Sequence, residues 1–169
     1  MRYLVLGAGM MGSAVAYDLT HAAPDAEIAL ADINLDAATA AARTIGDRVR
    51  PLCLDVRDPQ ALSAALRGHT VAISAVSYAV NETVTRAAID AGVHVCDLGG
   101  NNDVVDRQTR LDAEARARGV AVIPNCGLAP GLINILAVTG MQSFDTVEAV
   151  HLRVGGLPQQ PRPPLNYVH

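Results

Sequence analysis

Short apolar runs alternate with alanine-rich stretches of helical period along most of this chain. Strand-like runs cover residues 2–6, 27–32, 50–54, 70–75, 93–97 and 120–124, and helical patterns lie at about 11–22, 35–45, 59–67, 80–91 and 104–118. Strands that are apolar almost throughout leave no face for water. The pattern therefore predicts an α/β architecture, a doubly wound parallel sheet covered by helices on both sides. Asp58 before Pro59 reads as an N-cap followed by proline at the first helical position, and Gly68, Gly92 and Gly119 stand where helices should end.

Beyond residue 127 the pattern changes. "APGLINILAVTGM" reads as a helix with Pro130 near its start, and residues 146–154 alternate loosely, with Val147, Ala149, Leu152 and Val154 apolar, as a half-exposed strand would. Gly155-Gly156 and a proline-rich run follow. We expect residues 1–127 to form one complete domain and residues 128–169 to form a connecting helix and the first part of a second, truncated domain.

Of the 169 residues 50% are hydrophobic and only 18% charged, with no Trp, so the core must be built from Ala, Val, Leu and Ile. A net charge of −4 supplies no diffuse basic field, which argues against nucleic acid and for a small-molecule partner. Cys53, Cys96 and Cys126 are odd in number and lack metal-type spacing, and the histidines are scattered, so neither a disulfide framework nor a metal site is expected. The N-terminal apolar run is too short for a signal segment or a membrane span. These features predict a soluble, cytoplasmic protein with no membrane association.

The candidate chemistry begins at "LVLGAGMMGSAVAYDL", residues 4–19. Three glycines at this spacing are weak by themselves, but here a strand precedes them, a helix follows, and Asp32 ends the next strand, "EIALAD". In a Rossmann domain Gly7 would permit the turn, Gly9 would let a pyrophosphate approach the backbone, and Gly12 would let helix and strand pack closely. Met10 and Met11 open the helix whose unpaired N–H groups face the phosphates. A carboxylate at Asp32 accepts hydrogen bonds from ribose hydroxyls and repels a 2′-phosphate, which favours NAD over NADP.

Asp55 and Val56, in "CLDVRD", fall where such sheets meet adenine, although Asp55 serves equally well as a cap of the following turn. Ala75, Val76 and Ser77 end the fourth strand across from the glycine loop, where small residues allow the nicotinamide ribose close; plain packing is the alternative. "DLGGNN" follows the fifth strand at the ligand-binding edge. It reads either as a substrate-facing loop, with Gly99 and Gly100 against the substrate and Asp97 as a candidate acid–base group, or as a simple Asx-rich turn.

"IPNCGLAPGLINILA" together with "LRVGGLPQQPRPPLNY" resembles the saccharopine dehydrogenase-like family, with "VSY", "CDLGG", "GLAPG" and "VGGLP" in the family's order. The resemblance implies a Rossmann domain followed by a substrate domain in a chain about twice as long, a homo-oligomeric full-length protein, and Gly155 and Gly156 at the substrate. It further implies an NAD-dependent amino acid dehydrogenase that takes hydride from a carbon bearing an amine, leaving an imine for water to hydrolyse. Saccharopine reductases commonly read Gly-Leu-Asp-Pro-Gly and Cys-Gly-Gly-Leu-Pro where this chain has Ala129 and Val154. These departures point toward the lysine 6-dehydrogenase-like branch. The alternatives are a saccharopine reductase proper and a nucleotide-sensing regulatory module, and the continuation past residue 140 speaks against the latter. The piece in hand is expected to be inactive alone.

Overall fold

The computed structural model describes residues 1–155. Its strands are β1 (Arg2–Leu6), β2 (Glu27–Asp32), β3 (Val49–Cys53), β4 (Val71–Ser74), β5 (His94–Asp97) and β6 (Val122–Ile123). The helices are α1 (Met10–Ala22), α2 (Leu35–Ile45), α3 (Pro59–Leu66), α4 (Asn81–Ala91), α5 (Asn102–Thr109), α6 (Asp112–Arg118) and α7 (Leu132–Met141), with a 3-10 turn at Tyr78–Val80 ahead of α4. All pairings are parallel and the order is β3-β2-β1-β4-β5-β6. The chain direction across the sheet reverses between β1 and β4, which opens a crevice beyond their carboxyl ends.

Alternation along β1 explains the two-sided core. Leu4 and Leu6 face Leu62 and Leu66 of α3 and Val84 and Ala88 of α4, while Val5 joins Ala16 of α1 and Ala42 of α2 on the other side. Burying each such leucine contributes about 1.5–3 kcal/mol. Pro51, which has no N–H for a ladder, sits in β3 at the sheet's edge, where that loss is tolerated. Asp58 accepts from Gln60 N and Ala61 N at 2.9 and 3.1 Å, and Asn34 caps α2 in the same way. The Arg48 guanidinium donates to the Thr20 and Pro24 carbonyls at the end of α1.

Two expectations need correction. The helical pattern at 104–118 is two helices, because the chain turns at Arg110–Leu111. The break buries Leu111 with Ile89, Ala115 and Val120 while leaving Gln108 of α5 turned inward. The strand expected at 146–154 does not form; Val147, Leu152 and Val154 are 40%, 46% and 50% exposed. Alternation stabilises a strand only with a neighbouring ladder, and none is paired to this stretch among the described residues.

The chain divides into two compact units, Met1–Gly127 and a second that begins at Leu128. In the second, α7 starts where the Asn134 side chain accepts from Gly131 N at 3.0 Å. No residue of α7 is buried. No helix among the described residues is long and apolar enough to cross a membrane.

Candidate functional site

The glycine loop joins β1 to α1, and its three glycines differ in why they are glycine. Gly7 has φ +99°, and a Cβ there would lie 2.8 Å from the Ala75 carbonyl oxygen. At Gly12 a Cβ would overlap the Gly7 carbonyl oxygen and touch Ala75 Cβ at 3.4 Å. Both positions are closed by the chain's own packing. A Cβ at Gly9 would meet nothing within 4 Å among the described residues, so their packing imposes no reason for glycine there. That open approach leads to the N-terminus of α1, which has no side-chain cap and no acidic residue in its first turn. Unpaired N–H groups beside a bare backbone form a fitting cradle for an anion.

Asp32 lies at the end of β2, beside β1, half-buried. Its Oδ2 accepts from Ala8 N at 2.8 Å and its Oδ1 from Asn34 N at 2.9 Å. The carboxylate therefore ties the glycine loop to the start of α2, and its remaining lone pairs are available to a ribose. A cleft of about 310 Å³ brings Gly7 and Asp32 together with Asp55, Val56, Val76 and Ser77, and adds Ile33 and Arg57. Its volume is at the lower end of the range, about 300–1,000 Å³, usual for small-molecule sites. Ala31, Leu54 and Val80 supply apolar wall. Met10 and Met11 are exposed at the head of α1, and Ala75 packs under Gly7 and Gly12.

Asp55 caps the turn that leads to α3, its Oδ1 accepting from Arg57 N and its carbonyl from Asp58 N at 3.1 Å, while Asp58 is the N-cap of the helix itself. The Arg57 guanidinium grips the Asp55 carboxylate, Nε to Oδ1 at 2.9 Å and Nη2 to Oδ2 at 2.8 Å, and Arg57 N adds a bond to Oδ1 at 2.9 Å. These bonds, the guanidinium's first, pull the Asp55 carboxyl down to about 2. Ser77 Oγ accepts from Ala79 N at 3.4 Å and so starts the 3-10 turn.

Asp97 sits apart from this cleft. Only 2% exposed, it accepts from Gly99 N at 2.7 Å, Asn125 N at 3.2 Å and Gln108 Nε2 at 2.7 Å, and Gln108 Nε2 also donates to Thr85 Oγ1 at 2.8 Å. A carboxylate turned inward to three donors is placed to hold loops together. The neighbouring glycines belong to the same lock: a Cβ on Gly99, whose φ is +74°, would overlap Asn125 Oδ1, and one on Gly100 would lie 3.0 Å from Tyr78 Cδ1. Asn125 itself adopts φ 62°. In the second unit a Cβ on Gly155 would meet none of the described residues within 4 Å, and Gly156 lies outside the described residues.

A larger cavity, about 690 Å³, runs beside β6 against α5 and α6. It has neither a glycine loop nor the crevice at the strand reversal, so we place the candidate site at the smaller cleft. Burial, and more weakly the Asp97 charge, raises the Cys126 thiol, and burial raises Cys96 to about 11; neither is poised as a thiolate.

A family described as the saccharopine dehydrogenase NADP-binding domain matches residues 3–123, well over half of the chain. The chain belongs to this family. Saccharopine dehydrogenase (NADP(+), L-glutamate-forming) of Pyricularia oryzae is 32% identical over 105 residues, covering 62% of this chain and 21% of the relative. The Saccharomyces cerevisiae enzyme of the same name is 29% identical over 153 residues, covering 90% and 31%. The solved apo structure of the yeast L-Glu-forming saccharopine dehydrogenase superposes with a TM-score of 0.69 at 27% identity, covering 84% of this chain and 31% of that one. GenD2 from gentamicin A biosynthesis, solved with NAD, has a TM-score of 0.57 at 21% identity, covers 86% and 41%, and shares the fold. The chain spans about a fifth to a third of the length of the curated relatives it matches.

Membership of the saccharopine dehydrogenase family agrees with the pyridine-nucleotide character of the loop and cleft. The residues that pattern reading did not single out are Arg57, Gln108, Thr85 and Asn125. Arg57 stands two places after Asp55, a spacing that allows a closed side-chain pair in a turn. Gln108 and Thr85 gave no signal, because a polar residue on a helix reads as solvated until the opposing element is known.

Proposed function

We propose that this chain is the nucleotide-binding part of an oxidoreductase acting on the C–N bond of an amino acid, with NAD preferred to NADP. The observation that carries the reading is the contrast at the glycine loop: Gly7 and Gly12 are closed by protein atoms while Gly9 opens onto an uncapped helix N-terminus beside Asp32. Gly7, Gly9, Met10, Met11 and Gly12 form the pyrophosphate cradle, Asp32 binds the adenosine ribose, and Asp55 and Val56 edge the adenine. Ala75, Val76 and Ser77 lie on the nicotinamide side. When bound, the nicotinamide ring takes up or returns the two electrons and the hydrogen of the reaction.

The chain's own residues bind and orient. Asp97 is a positioning residue, in place of the acid–base role expected from its location, because its oxygens are committed to Gly99, Asn125 and Gln108. It holds the loop of Gly99 and Gly100 at the carboxyl edge of the sheet. Residues from Leu128, with Gly155 and Gly156, contribute to the substrate side, and proton transfer falls to groups elsewhere in the complete protein. Ala129 and Val154 favour a simple amine-bearing amino acid such as lysine. Saccharopine is the second reading, favoured by the names of the relatives.

Titration calorimetry of the parent and Asp32→Ala with NAD and NADP tests the cofactor. Hydrogen bonds to a charged group are worth about 1.5–3 kcal/mol, so NAD should weaken about ten- to a hundredfold. NADP should weaken less, through loosening of Ala8 and Asn34 alone. Equal losses refute the ribose contact. Steady-state turnover of the complete protein with lysine and with saccharopine decides the substrate.

A further inference from the structure

The cleft carries three charged side chains among its described lining residues, Asp32, Asp55 and Arg57, and the one cation is already held. We propose that Asp55 is a second selector for the unphosphorylated dinucleotide, acting by sequestering Arg57 from a ribose 2′-phosphate. This rests on the reading of the cleft as the adenosine end of a nucleotide site.

The geometry is particular. Nε and Nη2 of Arg57 form the edge of the guanidinium that arginine offers, two-pronged, to carboxylates and phosphates alike. Here that edge is spent on Asp55, with Nε reaching both oxygens at 2.9 and 3.2 Å and Nη2 reaching Oδ2 at 2.8 Å. The partners are two residues apart in one turn, and the Arg57 N–H to Oδ1 bond of 2.9 Å fixes the carboxylate from the backbone as well. With Arg57 neutralised, the cleft stays net negative through Asp32; with Asp55 removed, it becomes neutral and Arg57 is released into it.

The two selectors differ in kind. Asp32 acts at the ribose by direct contact, whereas Asp55 acts by denying a phosphate its counter-charge. Because the Arg57 and Asp55 side chains are 68% and 36% exposed, solvent screens the pair, and the effect is several-fold rather than hundreds-fold.

The test is the ratio of NADP to NAD affinity, measured by titration calorimetry on the 169-residue chain. Asp55→Ala and Asp55→Asn should each raise that ratio about three- to fivefold, the range set by one partly exposed ion pair. Asp55→Ala combined with Arg57→Ala should return it to the parent value. The inference is overturned if the ratio is unchanged in both Asp55 variants, or if the rise survives loss of Arg57. It is also overturned if Arg57→Ala alone lowers the parent's NADP affinity selectively, since Arg57 would then already serve the phosphate. Failure of the parent to bind either dinucleotide overturns the reading of the cleft, and the inference with it, whereas binding of both with an unmoved ratio overturns the inference alone.

Discussion

The two compact units use apolar residues in opposite ways. In β1, Leu4, Val5 and Leu6 are each fully buried, whereas in α7, "LINILAVTGM", Leu132, Ile135, Leu136 and Val138 are 50%, 66%, 60% and 52% exposed. Hydrophobic content does not separate them. The difference is that in the first unit every strand has helices or strands adjoining it in sequence and in space, so an apolar run meets its cover locally. Among the described residues the helix of the second unit has no such flanking element, and its apolar residues stay largely exposed.

The comparison breaks most readily at Leu30, fully buried in β2. Leu30→Ala should cost about 2–5 kcal/mol in urea unfolding, through lost transfer energy and a residual cavity. Leu136→Ala, at a residue 60% exposed, should change stability by no more than about 0.5 kcal/mol. Equal costs would mean that α7 is as deeply packed as the sheet.

A second contrast sharpens the picture within the first unit. Gly12→Val must push a side chain into the Gly7 carbonyl and Ala75, so it should lower the melting temperature and abolish nucleotide binding together. At Gly9 a Cβ meets no described atom within 4 Å, so Gly9→Val should melt like the parent, yet lose binding by about a hundredfold or more, because the side chain occupies the phosphate approach. Parent-like affinity in Gly9→Val would reduce the loop to a turn.

Gln108→Ala removes the donor shared by Asp97 and Thr85, both buried, and should cost about 1–3 kcal/mol by chemical unfolding. Its Oε1 has no partner among the described residues, so the loss there lies on the donor side.

The smallest effect is on pH. Asp55 is held down to about 2 by Arg57, and Glu82 is lowered by Arg107, bonded at 2.5 Å, and by Arg86. Carboxyls depressed in the folded state add stability above their unfolded values, about 3.9 for Asp and 4.3 for Glu, and lose it as pH falls toward the folded values. Thermal stability should be flat in this respect at neutral pH and decline slightly below about pH 4. Asp55→Asn should flatten part of that decline.

The strand and helix alternation of residues 1–127 was legible because burial on both faces forces long apolar runs, and because Asp58, Pro59, Gly92 and Gly119 mark helix ends chemically. The break at Arg110–Leu111 was not legible, since apolar spacing continues across it and only the packing of Leu111 against Ile89 and Val120 requires it. Residues 146–154 misled for the converse reason: alternation is necessary for a half-exposed strand but needs a ladder partner that periodicity cannot supply.

At the site the same division holds. The glycine spacing and Asp32 are local chemistry, a turn and a strand end at a set distance along the chain, so the sequence by itself determined that a dinucleotide-type loop stands at the head of a parallel sheet. Which side chains would be free was decided only in three dimensions. Asp97 and Asp55 are both carboxylates at or just past the end of a strand, yet one is turned into Gly99, Gln108 and Asn125 and the other is closed on Arg57 at the lip of the cleft. A carboxylate's role depends on which donors reach it: both have a donor two residues on, but Asp97 is also reached by donors 11 and 28 residues away, distances that only folding converts into contact.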